Sequence, residues 1–358
     1  MEKHGRKMKA ALVGCGQISE VYFNNIQKRF TNLEITACCA AHFESAQKAA
    51  AKYGIHACTY DEILEDPSIE MVLILTPAPT HYELVKKGIL AGKHVYTEKT
   101  LALEVKDAKH LAELAEKHNV YLSAAPETFL GAAVQTAKKA IEDGRIGKVT
   151  SFHICANRDY DILSSLYSFL REPGGGICFD YGVYHLTALV ELLGPVDNVF
   201  ARWQNYKPVR KHSVPGMPGY GGMFDSQGES IAAAVLQMEN GVTGTFMMNA
   251  ESNMWDIIDF RIYGEEGVLI LPDMNSFGGD VRLIPNTTRT AGEEIVLEPV
   301  SDLTGNCRGI GPSQMAEAIA AGTKSRVDSS LAIHVLDIVN QIITSGVQSV
   351  VKKIETSI

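Results

Sequence analysis

The chain has 358 residues, enough for two domains at the usual ~150 residues per domain. Apolar residues make up 46% of it, and the formal net charge is −9, from 33 basic and 42 acidic side chains. The basic residues are scattered, whereas nucleic-acid binding requires positive charge clustered against phosphates. We therefore expect a small molecule or a second copy of the chain as partner, and no nucleic acid.

The cysteines and apolar runs limit the cellular setting. None of the seven cysteines has the spacing of metal ligands, so no metal site is predicted. Their odd number and apolar neighbourhoods indicate reduced thiols in a cytoplasmic protein. Met1–Lys9 is polar and basic, so no signal peptide is predicted. The longest strongly apolar run, Met71–Leu75, is far shorter than the ~20 residues that span a bilayer, so no membrane partner is expected.

The first third of the chain alternates predicted strands and helices. The short apolar strand Ala10–Val13 ends in a glycine turn and is followed by a helix over Ser19–Arg29. Met71–Leu75 is a continuous apolar strand, typical of burial on both faces of a parallel sheet. The further strands are Leu33–Ala40, His94–Thr97 and Val120–Ala124, and the further helices are Glu44–Tyr53, Asp61–Leu64, His81–Ala91 and Leu103–His118. These units predict an α/β Rossmann domain with a doubly wound parallel sheet over residues 1–125.

The pattern changes after Pro126. Most later strands alternate apolar and polar residues and are joined by short glycine turns, which predicts a large open, mainly antiparallel sheet in an α+β domain over residues 126–358. The predicted strands are Val149–Ala156, Val199–Gln204, Glu229–Gln237, Gly244–Asn249, Ile257–Tyr263, Gly267–Leu271 and Val281–Ile284. The predicted helices are Gln135–Asp143, Gly182–Leu193, Ser313–Ala321 and Ser329–Val350. Pro208–Gly228, rich in Pro and Gly, is predicted to be a flap or an oligomer arm, with disorder as the alternative.

The turn Gly14–Ser19 has the spacing of a dinucleotide-binding fingerprint. Gly14 permits the tight turn, and Gly16 lets the backbone approach a pyrophosphate. Gln17 and Ile18 open the helix, whose N–H groups and partial positive charge favour the phosphates. Ser19 stands where a third glycine or alanine is usual and is still small. Because more strand–helix units follow, we predict dinucleotide binding, with a cofactor-free Rossmann domain as the alternative.

The end of the second strand bears on the choice of cofactor. An Asp or Glu is expected there to bind the adenosine ribose, but the chain has Ala40, Ala41 and His42, and Glu44 already lies in the helix. No Arg or Lys is evident at this tip to meet a 2′-phosphate. We therefore favour NAD(H), possibly tightly bound, over NADP(H); His42 is either an adenine contact or a solvated loop residue.

Several further segments carry a family resemblance. They are Gly14–Ser19, Thr76–His81, Ala91–Lys99, Gly144–Gly147 and the run from Gly174 to Asp180. With them, nearly the whole chain resembles the Gfo/Idh/MocA family of sugar and inositol oxidoreductases. The resemblance implies hydride transfer between a nicotinamide and a sugar carbinol carbon. It also implies cofactor contacts by Thr76, Pro77, His81, Glu98 and Lys99.

Lys99 is the first predicted catalytic residue. It follows the strand His94–Thr97, at the carboxyl edge of the parallel sheet where ligands bind. An ammonium group there can bind the substrate oxygen and stabilise its alkoxide character. The family usually has proline after this lysine, whereas this chain has Thr100, whose hydroxyl is a candidate contact to cofactor or substrate.

Asp180 and the residues after it form the second predicted half of the site. The family usually places Asp and His four residues apart, but here Tyr184 is four residues after Asp180 and His185 is five. At ~100° per residue, a regular helix puts Tyr184 ~40° and His185 ~140° from Asp180. Helix geometry therefore favours Tyr184 as the base, and the ordinary pKa of histidine, ~6.5, favours His185. An irregular first turn would present His185, so both are kept.

Other polar residues are weaker candidates for the substrate pocket. They are Glu127, and Arg158, Tyr160 and Asp161 after the strand Val149–Ala156. Each is an ordinary surface residue in the alternative interpretation. Trp203 and Trp255 are interpreted as core or interface residues.

The predicted reaction oxidises or reduces a secondary hydroxyl of a sugar or glycoside. Lys99 holds the hydroxyl, and Tyr184 or His185, oriented by Asp180, takes its proton. Pro126–Gly131 and Tyr184–Val196 also resemble a family branch that includes gut-bacterial enzymes oxidising glucose of plant glycosides at C3. The alternatives are a redox-assisted glycosidase that uses bound NAD and a non-catalytic sugar or nucleotide sensor. The open sheet edge predicts a homo-oligomer.

Overall fold

The computed structural model describes residues 6–254 and 257–358, so Trp255 lies outside the described residues. The chain forms two compact units, Met1–Glu127 with Asn306–Ile333 and Thr128–Gly305 with His334–Ile358. The sequence-based boundary was a single break at Ala125 and did not include the return of Asn306–Ile333 to the first unit. That return depends on tertiary contacts: the Asn25 side chain, for example, donates to the carbonyl oxygens of Asn306 and Arg308 at 2.8 and 2.7 Å.

The first unit contains the predicted parallel sheet. Its strands are β1 (Met8–Val13), β2 (Leu33–Cys39), β3 (His56–Ala57), β4 (Met71–Ile74), β5 (His94–Thr97) and β6 (Leu122–Ala124). They are ordered β3-β2-β1-β4-β5-β6, and every pair is parallel. The order reverses between β1 and β4, which is where such sheets bind ligands.

Helices connect these strands close to their predicted positions. They are α1 (Ser19–Lys28), α2 (Phe43–Tyr53), α3 (Tyr60–Glu65), α4 (His81–Leu90) and α5 (Val105–Lys117). The start of α3 is set by Thr59, whose side chain and backbone exchange hydrogen bonds with Glu62 in a capping box. Gly54 ends α2 with φ of +70°. The sequence did not predict β3, because a strand of two residues is too short to show an alternation of apolar and polar side chains.

The second unit contains a large mixed sheet. The strands of the unit are β7 (Val149–Asn157), β8 (Val196–Gln204), β9 (Val209–Lys211), β10 (Met223–Asp225), β11 (Ile231–Met238), β12 (Thr243–Asn249), β13 (Ile258–Gly264), β14 (Gly267–Leu271), β15 (Arg282–Thr287), β16 (Thr290–Ala291), β17 (Ile295–Val296) and β18 (Lys352–Lys353). All except β9 and β10, which pair only with each other, belong to this large sheet. Its order is β16-β15-β14-β13-β7-β12-β11-β8-β18, with β17 also on β15. The pair β12–β7 is parallel and the other pairs are antiparallel, so the predicted mainly antiparallel sheet is confirmed.

Alternating burial shows that one face of this sheet packs on a core. Ala232, Ala234 and Leu236 of β11 are buried, whereas Val235 between them is 45% exposed. The helices of the C-terminal region are α6 (Ala132–Glu142), α7 (Tyr160–Leu166), α8 (Val183–Leu193), α9 (Ile310–Ala321) and α10 (Ser329–Gln348). Among the described residues, α10 is the one helix long and apolar enough to cross a membrane, but half of that stretch is buried, as in the core helix of a globular protein.

One local prediction and one alternative interpretation differ from the structure. Tyr160 and Asp161 do not continue the end of β7; they begin α7, because the Asp159 side chain accepts from the Ile162 N–H and caps the helix. Within Pro208–Gly228, β9 and β10 pair as an antiparallel hairpin, which contradicts disorder. Its Arg210 is only 1% exposed.

Candidate functional site

The turn after β1 requires glycine at its first position. Gly14 has φ of +105°, and its N–H donates to the Cys39 carbonyl at 2.9 Å. A Cβ at Gly14 would lie 3.0 Å from the backbone carbonyl of Leu75, after β4. Both the dihedral and this close approach disfavour a side chain, so Gly14 lets the turn pack tightly between β2 and β4.

The next glycine opens onto free space. Gly16 is exposed, and a Cβ there would meet no atom within 4 Å. Gln17 is exposed and Ile18 half-buried, and Ile18 provides no side-chain cap for α1. Ser19 is buried, and its hydroxyl donates to the Gly16 carbonyl at 2.6 Å. A pyrophosphate fits this turn because the backbone is accessible and the first turn of α1 lacks a side-chain cap.

The end of β2 borders an open depression. Ala40 is half-buried and His42 exposed, and His42 precedes α2 without capping it. The depression is lined by Ala41, His42, Phe43, Glu44, Ser45 and Lys48. The sequence-based prediction had no Lys or Arg here, but Lys48 of α2 reaches the same depression because residues one helical turn apart share a face.

His81 joins the loops that follow β4 and β5. Its Nδ1 lies 2.6 Å from the Thr100 carbonyl oxygen and its Nε2 lies 2.7 Å from that of Thr76. His81 is fully buried, and burial lowers its pKa. Thr76 is half-buried and Pro77 exposed. The predicted direct contact of His81 with a cofactor does not fit this burial; instead His81 fixes the two loops beside Lys99.

Lys99 follows Glu98 directly after β5 and is half-buried. Its N–H donates to Oε2 of Glu98 at 3.1 Å, and its peptide bond to Thr100 is cis. Glu98 is only 8% exposed and is held by the Tyr22 hydroxyl at 2.8 Å. Glu98 therefore fixes the Lys99 backbone through its hydrogen bond with the Lys99 N–H. The Thr100 hydroxyl is buried and has no hydrogen-bond partner within the described parts of the chain.

Glu127 does not line a substrate pocket as predicted. It is 2% exposed, and its carboxylate accepts from the Tyr96 hydroxyl at 2.5 Å and from the N–H groups of Gly309 and Gly311 at 2.6 and 2.8 Å. These partners all belong to the first unit, because segment 306–333 returns there. Burial raises the pKa of Glu127 to about 7.

In the second unit, Asp180 lies in an irregular turn. Residues Cys178–Gly182 form a π-helical turn directly before α8. The regular helix assumed for the angle between Asp180 and Tyr184 is therefore wrong, because a π turn holds an extra residue. Asp180 is half-buried, and Tyr184 is 8% exposed.

His185 faces a different carboxylate from the one predicted to orient it. Its ring is fully buried, packs edge-on against Tyr181, and places Nε2 4.0 Å from Oδ1 of Asp273. Nε2 has no hydrogen-bond partner among the residues described. Burial lowers the pKa of His185 to about 4, so the ring is neutral and weakly basic at pH 7. His185 is therefore a poor general base in this arrangement.

Arg158 and Asp273 form the polar group beside that ring. Arg158 donates to Oδ2 of Asp273 at 3.2 Å, and its guanidinium carbon lies 3.7 Å from the centre of the Tyr181 ring. The Tyr181 hydroxyl donates to Oδ1 of Asp273 at 2.8 Å. This ion pair is partly exposed, so Arg158 stays a candidate for substrate binding.

Tyr160 and Asp161 occupy separate environments. Tyr160 is 2% exposed, and burial together with the charges of Asp180 and Glu229 raises its pKa. The Tyr160 hydroxyl is buried without a hydrogen-bond partner in the described chain. Asp161 pairs with Lys207 at 2.6 Å and with Arg210 at 2.8 Å. Tyr160 thus lies near Asp180, whereas Asp161 belongs to an ion cluster that holds the β9–β10 hairpin.

Several residues of these clusters were not evident from the sequence, among them Tyr22, Tyr96, Tyr181 and Asp273. Tyr22 and Tyr96 lie within apolar stretches and look like core residues. Asp273, directly after β14, resembles a solvated loop acid. Their partners lie far away in sequence; Arg158, for instance, is 115 residues from Asp273. The one local signal is the basic side chains Lys207 and Arg210 close together in sequence, which indicate acidic partners such as Asp161.

Two family models match the chain. Residues 8–125 match the model described as an oxidoreductase family with an NAD-binding Rossmann fold, and residues 134–270 match the GFO/IDH/MocA C-terminal domain.

Levoglucosan dehydrogenase of Pseudarthrobacter phenanthrenivorans is 29% identical over 247 residues, which cover 64% of this chain and 63% of that protein. Myo-inositol 2-dehydrogenase of Thermotoga maritima is 27% identical over 54% of this chain and 58% of its own length. An uncharacterized oxidoreductase of Schizosaccharomyces pombe is 31% identical over 56% of each chain. These matches span less than two thirds of each relative.

Solved structures share the fold over nearly the full length. An NAD-binding oxidoreductase from Klebsiella pneumoniae has a TM-score of 0.85 at 19% identity, covering 98% of this chain and 100% of that chain. Levoglucosan dehydrogenase in complex with NADH and L-sorbose has a TM-score of 0.83 at 20% identity, covering 98% and 99%. The predicted fold class and family are confirmed: the chain belongs to the Gfo/Idh/MocA family of NAD-binding oxidoreductases.

Proposed function

We propose that this chain is an NAD(H)-dependent dehydrogenase acting on a secondary hydroxyl of a sugar or glycoside. The carrying observation is that the accessible Gly16 turn and Lys99 follow β1 and β5, whose carboxyl ends share one edge of the parallel sheet. When bound, the dinucleotide supplies a hydride acceptor or donor at its nicotinamide ring. Lys99 binds the reacting oxygen and stabilises its alkoxide character.

The proton acceptor in this proposal comes from the residues that follow Asp180. Tyr184 is the favoured base, because it retains 8% exposure while the ring of His185 is fully buried beside Asp273. A base of this kind contributes ~10²–10⁴-fold to the rate. Asp180 orients the base and the substrate, and Arg158 binds further hydroxyls of the sugar.

Relatives support a sugar as substrate. Levoglucosan dehydrogenase and myo-inositol 2-dehydrogenase are named for cyclic polyhydroxyl compounds. Because the matches cover only part of these relatives, the substrate class is our proposal for this chain. The finer proposal, drawn from the branch resemblance, is oxidation at C3 of a glucosyl group in a glycoside.

A substrate panel tests this function. Purified protein is incubated with free hexoses, inositols, levoglucosan and flavonoid glycosides, with and without added NAD⁺, and products are identified by mass. We expect a product two hydrogens lighter together with NADH, and a kcat ~10²–10³-fold lower in Lys99→Met. Turnover of none of these compounds would contradict the proposal. Glycoside cleavage without net NADH would instead indicate redox-assisted hydrolysis.

For the cofactor we propose NAD(H) over NADP(H), because no cation follows β2 directly and the Glu44 carboxylate lines the depression after β2. Titration of the protein with NADH and NADPH, read by nicotinamide fluorescence, is expected to give tighter NADH binding. Tighter NADPH binding that is lost in Lys48→Ala would reverse this choice and assign the 2′-phosphate to Lys48.

We also propose a homo-oligomer that covers the open face of the large sheet. Phe200, Val235 and Met247 are apolar residues of that face with 40, 45 and 37% exposure. Sedimentation velocity should show a species larger than 39.0 kDa. A monomer at micromolar concentration would contradict the proposal.

A further inference from the structure

A buried cluster of two carboxylates and two tyrosines lies beneath Lys99 in the first unit. Tyr22 of α1 and Tyr96 of β5 are fully buried, and Glu98 and Glu127 are 8% and 2% exposed. Two acidic side chains in one buried cluster are costly unless hydrogen bonds compensate the lost hydration. The proposed reaction uses neither tyrosine and does not use Glu127.

Three hydrogen bonds and one contact between tyrosine rings connect Glu127 to the Lys99 backbone. Tyr96 donates to Glu127 at 2.5 Å, and Tyr22 donates to Glu98 at 2.8 Å. The Tyr22 and Tyr96 rings are neighbours, with ring centres 6.4 Å apart, and their hydroxyls interact electrostatically. The other oxygen of Glu98 accepts the Lys99 N–H at 3.1 Å. A change in the protonation of Glu127 can therefore affect the Lys99 backbone through Tyr96, Tyr22 and Glu98.

Each tyrosine hydroxyl has a single proton and can donate only one hydrogen bond at a time. The partner that each tyrosine donates to therefore depends on the protonation of Glu127. With Glu127 ionised, Tyr96 donates toward Glu127. With Glu127 protonated, the carboxyl group donates to Tyr96, which is then free to donate to Tyr22, while Tyr22 still donates to Glu98. The protonation of Glu127 thus decides whether the hydrogen bonds run continuously toward Glu98.

Glu127 is also attached to the returning segment. Its oxygens accept from the N–H groups of Gly309 and Gly311, and a Cβ at Gly311 would lie 2.2 Å from Oε2 of Glu127. Only glycine leaves room for the carboxylate there. The connected series of side chains therefore begins at the first turn of α9 and ends at the Lys99 backbone.

The charged and titratable groups around Glu127 come from each neighbouring element. They are Tyr22 on α1, Tyr96 on β5, Glu98 after β5, and Arg308 before α9. Desolvation raises the pKa of Glu127 to about 7, and hydrogen bonds from Tyr96 and Gly309 oppose that rise. Both protonation states are therefore populated at neutral pH.

We propose that Glu127 is a positioning residue for Lys99. Its effect passes through the hydroxyls of Tyr96 and Tyr22 to Glu98, which holds the Lys99 peptide in place. The proposal rests on the catalytic role assigned to Lys99 above.

Amide hydrogen exchange tests the coupling without reference to activity. Tyr22→Phe removes the bond to Glu98 and should accelerate exchange in peptides covering residues 98–100 while leaving residues 309–311 unchanged. Glu127→Gln should accelerate exchange in both, because the N–H groups of Gly309 and Gly311 bond to different oxygens of Glu127 and the amide group places an NH₂ donor against one of them. Acceleration at residues 309–311 alone in Glu127→Gln would show a merely structural role and overturn the proposal.

Kinetics supply a second readout and a matched control. We expect kcat to fall about tenfold in Glu127→Gln and in Tyr22→Phe, with the KM for the dinucleotide within about twofold. An inflection near pH 7 in the wild-type kcat profile should be absent from both variants. Tyr60→Phe removes another buried tyrosine hydrogen bond of the same unit, to the Leu84 carbonyl at 2.7 Å, and should retain the wild-type profile.

The outcomes separate this inference from the proposed function. If Glu127→Gln does not fold, Tyr22→Phe decides by itself. Wild-type kcat and pH profile in Tyr22→Phe, while Lys99→Met is inactive, would overturn the positioning role only. Full activity in Lys99→Met would instead overturn the assigned role of Lys99.

Discussion

At the scale of single residues, the choice of base depends on the environment of two adjacent side chains. The ring of His185 is fully buried with its pKa near 4, and Tyr184 retains 8% exposure on the helix that follows Asp180. We expect Tyr184→Phe to lower kcat by ~10²–10⁴-fold, the loss typical of a missing general base. His185→Gln should lower kcat by less than about tenfold, as expected for a residue that only packs near the site.

Steady-state turnover of the substrate found in the panel measures both variants, and circular dichroism controls for folding. A large loss in folded His185→Gln, with Tyr184→Phe active, would assign the base to His185. That result would require the ring to leave its contact with Tyr181 during the reaction.

At the scale of elements, the turn between β1 and α1 contains two glycines with different duties. Gly16→Val should leave the melting temperature within about 2 °C, because a Cβ there meets no atom within 4 Å, but it should weaken NADH binding at least about tenfold by blocking the pyrophosphate. Gly14→Ala should be destabilised by about 1–3 kcal/mol, because φ is +105° and the Leu75 carbonyl is 3.0 Å away. Thermal unfolding and NADH titration measure the two effects. Equal destabilisation of both variants would contradict this division.

The β9–β10 hairpin is held by a buried cation. Arg210 bonds to Asp161 at 2.8 Å and to Glu251, and its side chain is fully buried, whereas the neighbouring Lys207 is 38% exposed. Arg210→Met leaves the buried Glu251 carboxylate poorly compensated and should cost about 3–5 kcal/mol. Lys207→Met is the control and should cost at most about 1 kcal/mol, because water screens its ion pairs. Denaturant unfolding compares them, and similar losses would show that the hairpin does not depend on Arg210.

At the scale of the whole molecule, buried histidines should make stability depend on pH. The pKa of His185 falls from 6.5 to about 4 on folding, so the unfolded chain takes up a proton at a higher pH than the folded one. Stability is therefore fully present above pH 6.5 and declines as pH falls toward 4, by about 3 kcal/mol at ~1.4 kcal/mol per unit. Burial lowers the pKa of His81 and His334 too, so both add to this decline.

Denaturant unfolding at pH 7, 6, 5 and 4 measures the dependence. The wild type should lose more stability over this range than His185→Gln, which lacks the ionisable ring. Parallel curves for the two proteins would show that His185 is not neutral in the folded state. Glu127 acts in the opposite direction: with its pKa raised from 4.5 to about 7, its contribution is present below pH 4.5 and is lost as pH rises through 7.

The sequence by itself determined the Rossmann unit, the dinucleotide turn and the mainly antiparallel sheet. Their signatures are local, because the apolar period of β4, the glycines at 14 and 16 and the alternation in β11 depend on neighbouring residues only. The placement of Lys99 after β5 followed from the same periods.

Tertiary structure alone decided the rest. The sequence indicated Glu127 as a pocket residue. The structure instead buries it against Gly309 and Gly311, which are 182 and 184 residues away in sequence. The π turn at Cys178–Gly182 and the contact of His185 with Asp273 likewise depend on packing. Burial, and with it the protonation of these side chains, is set by partners distant in sequence, and no local pattern specifies which partners those are.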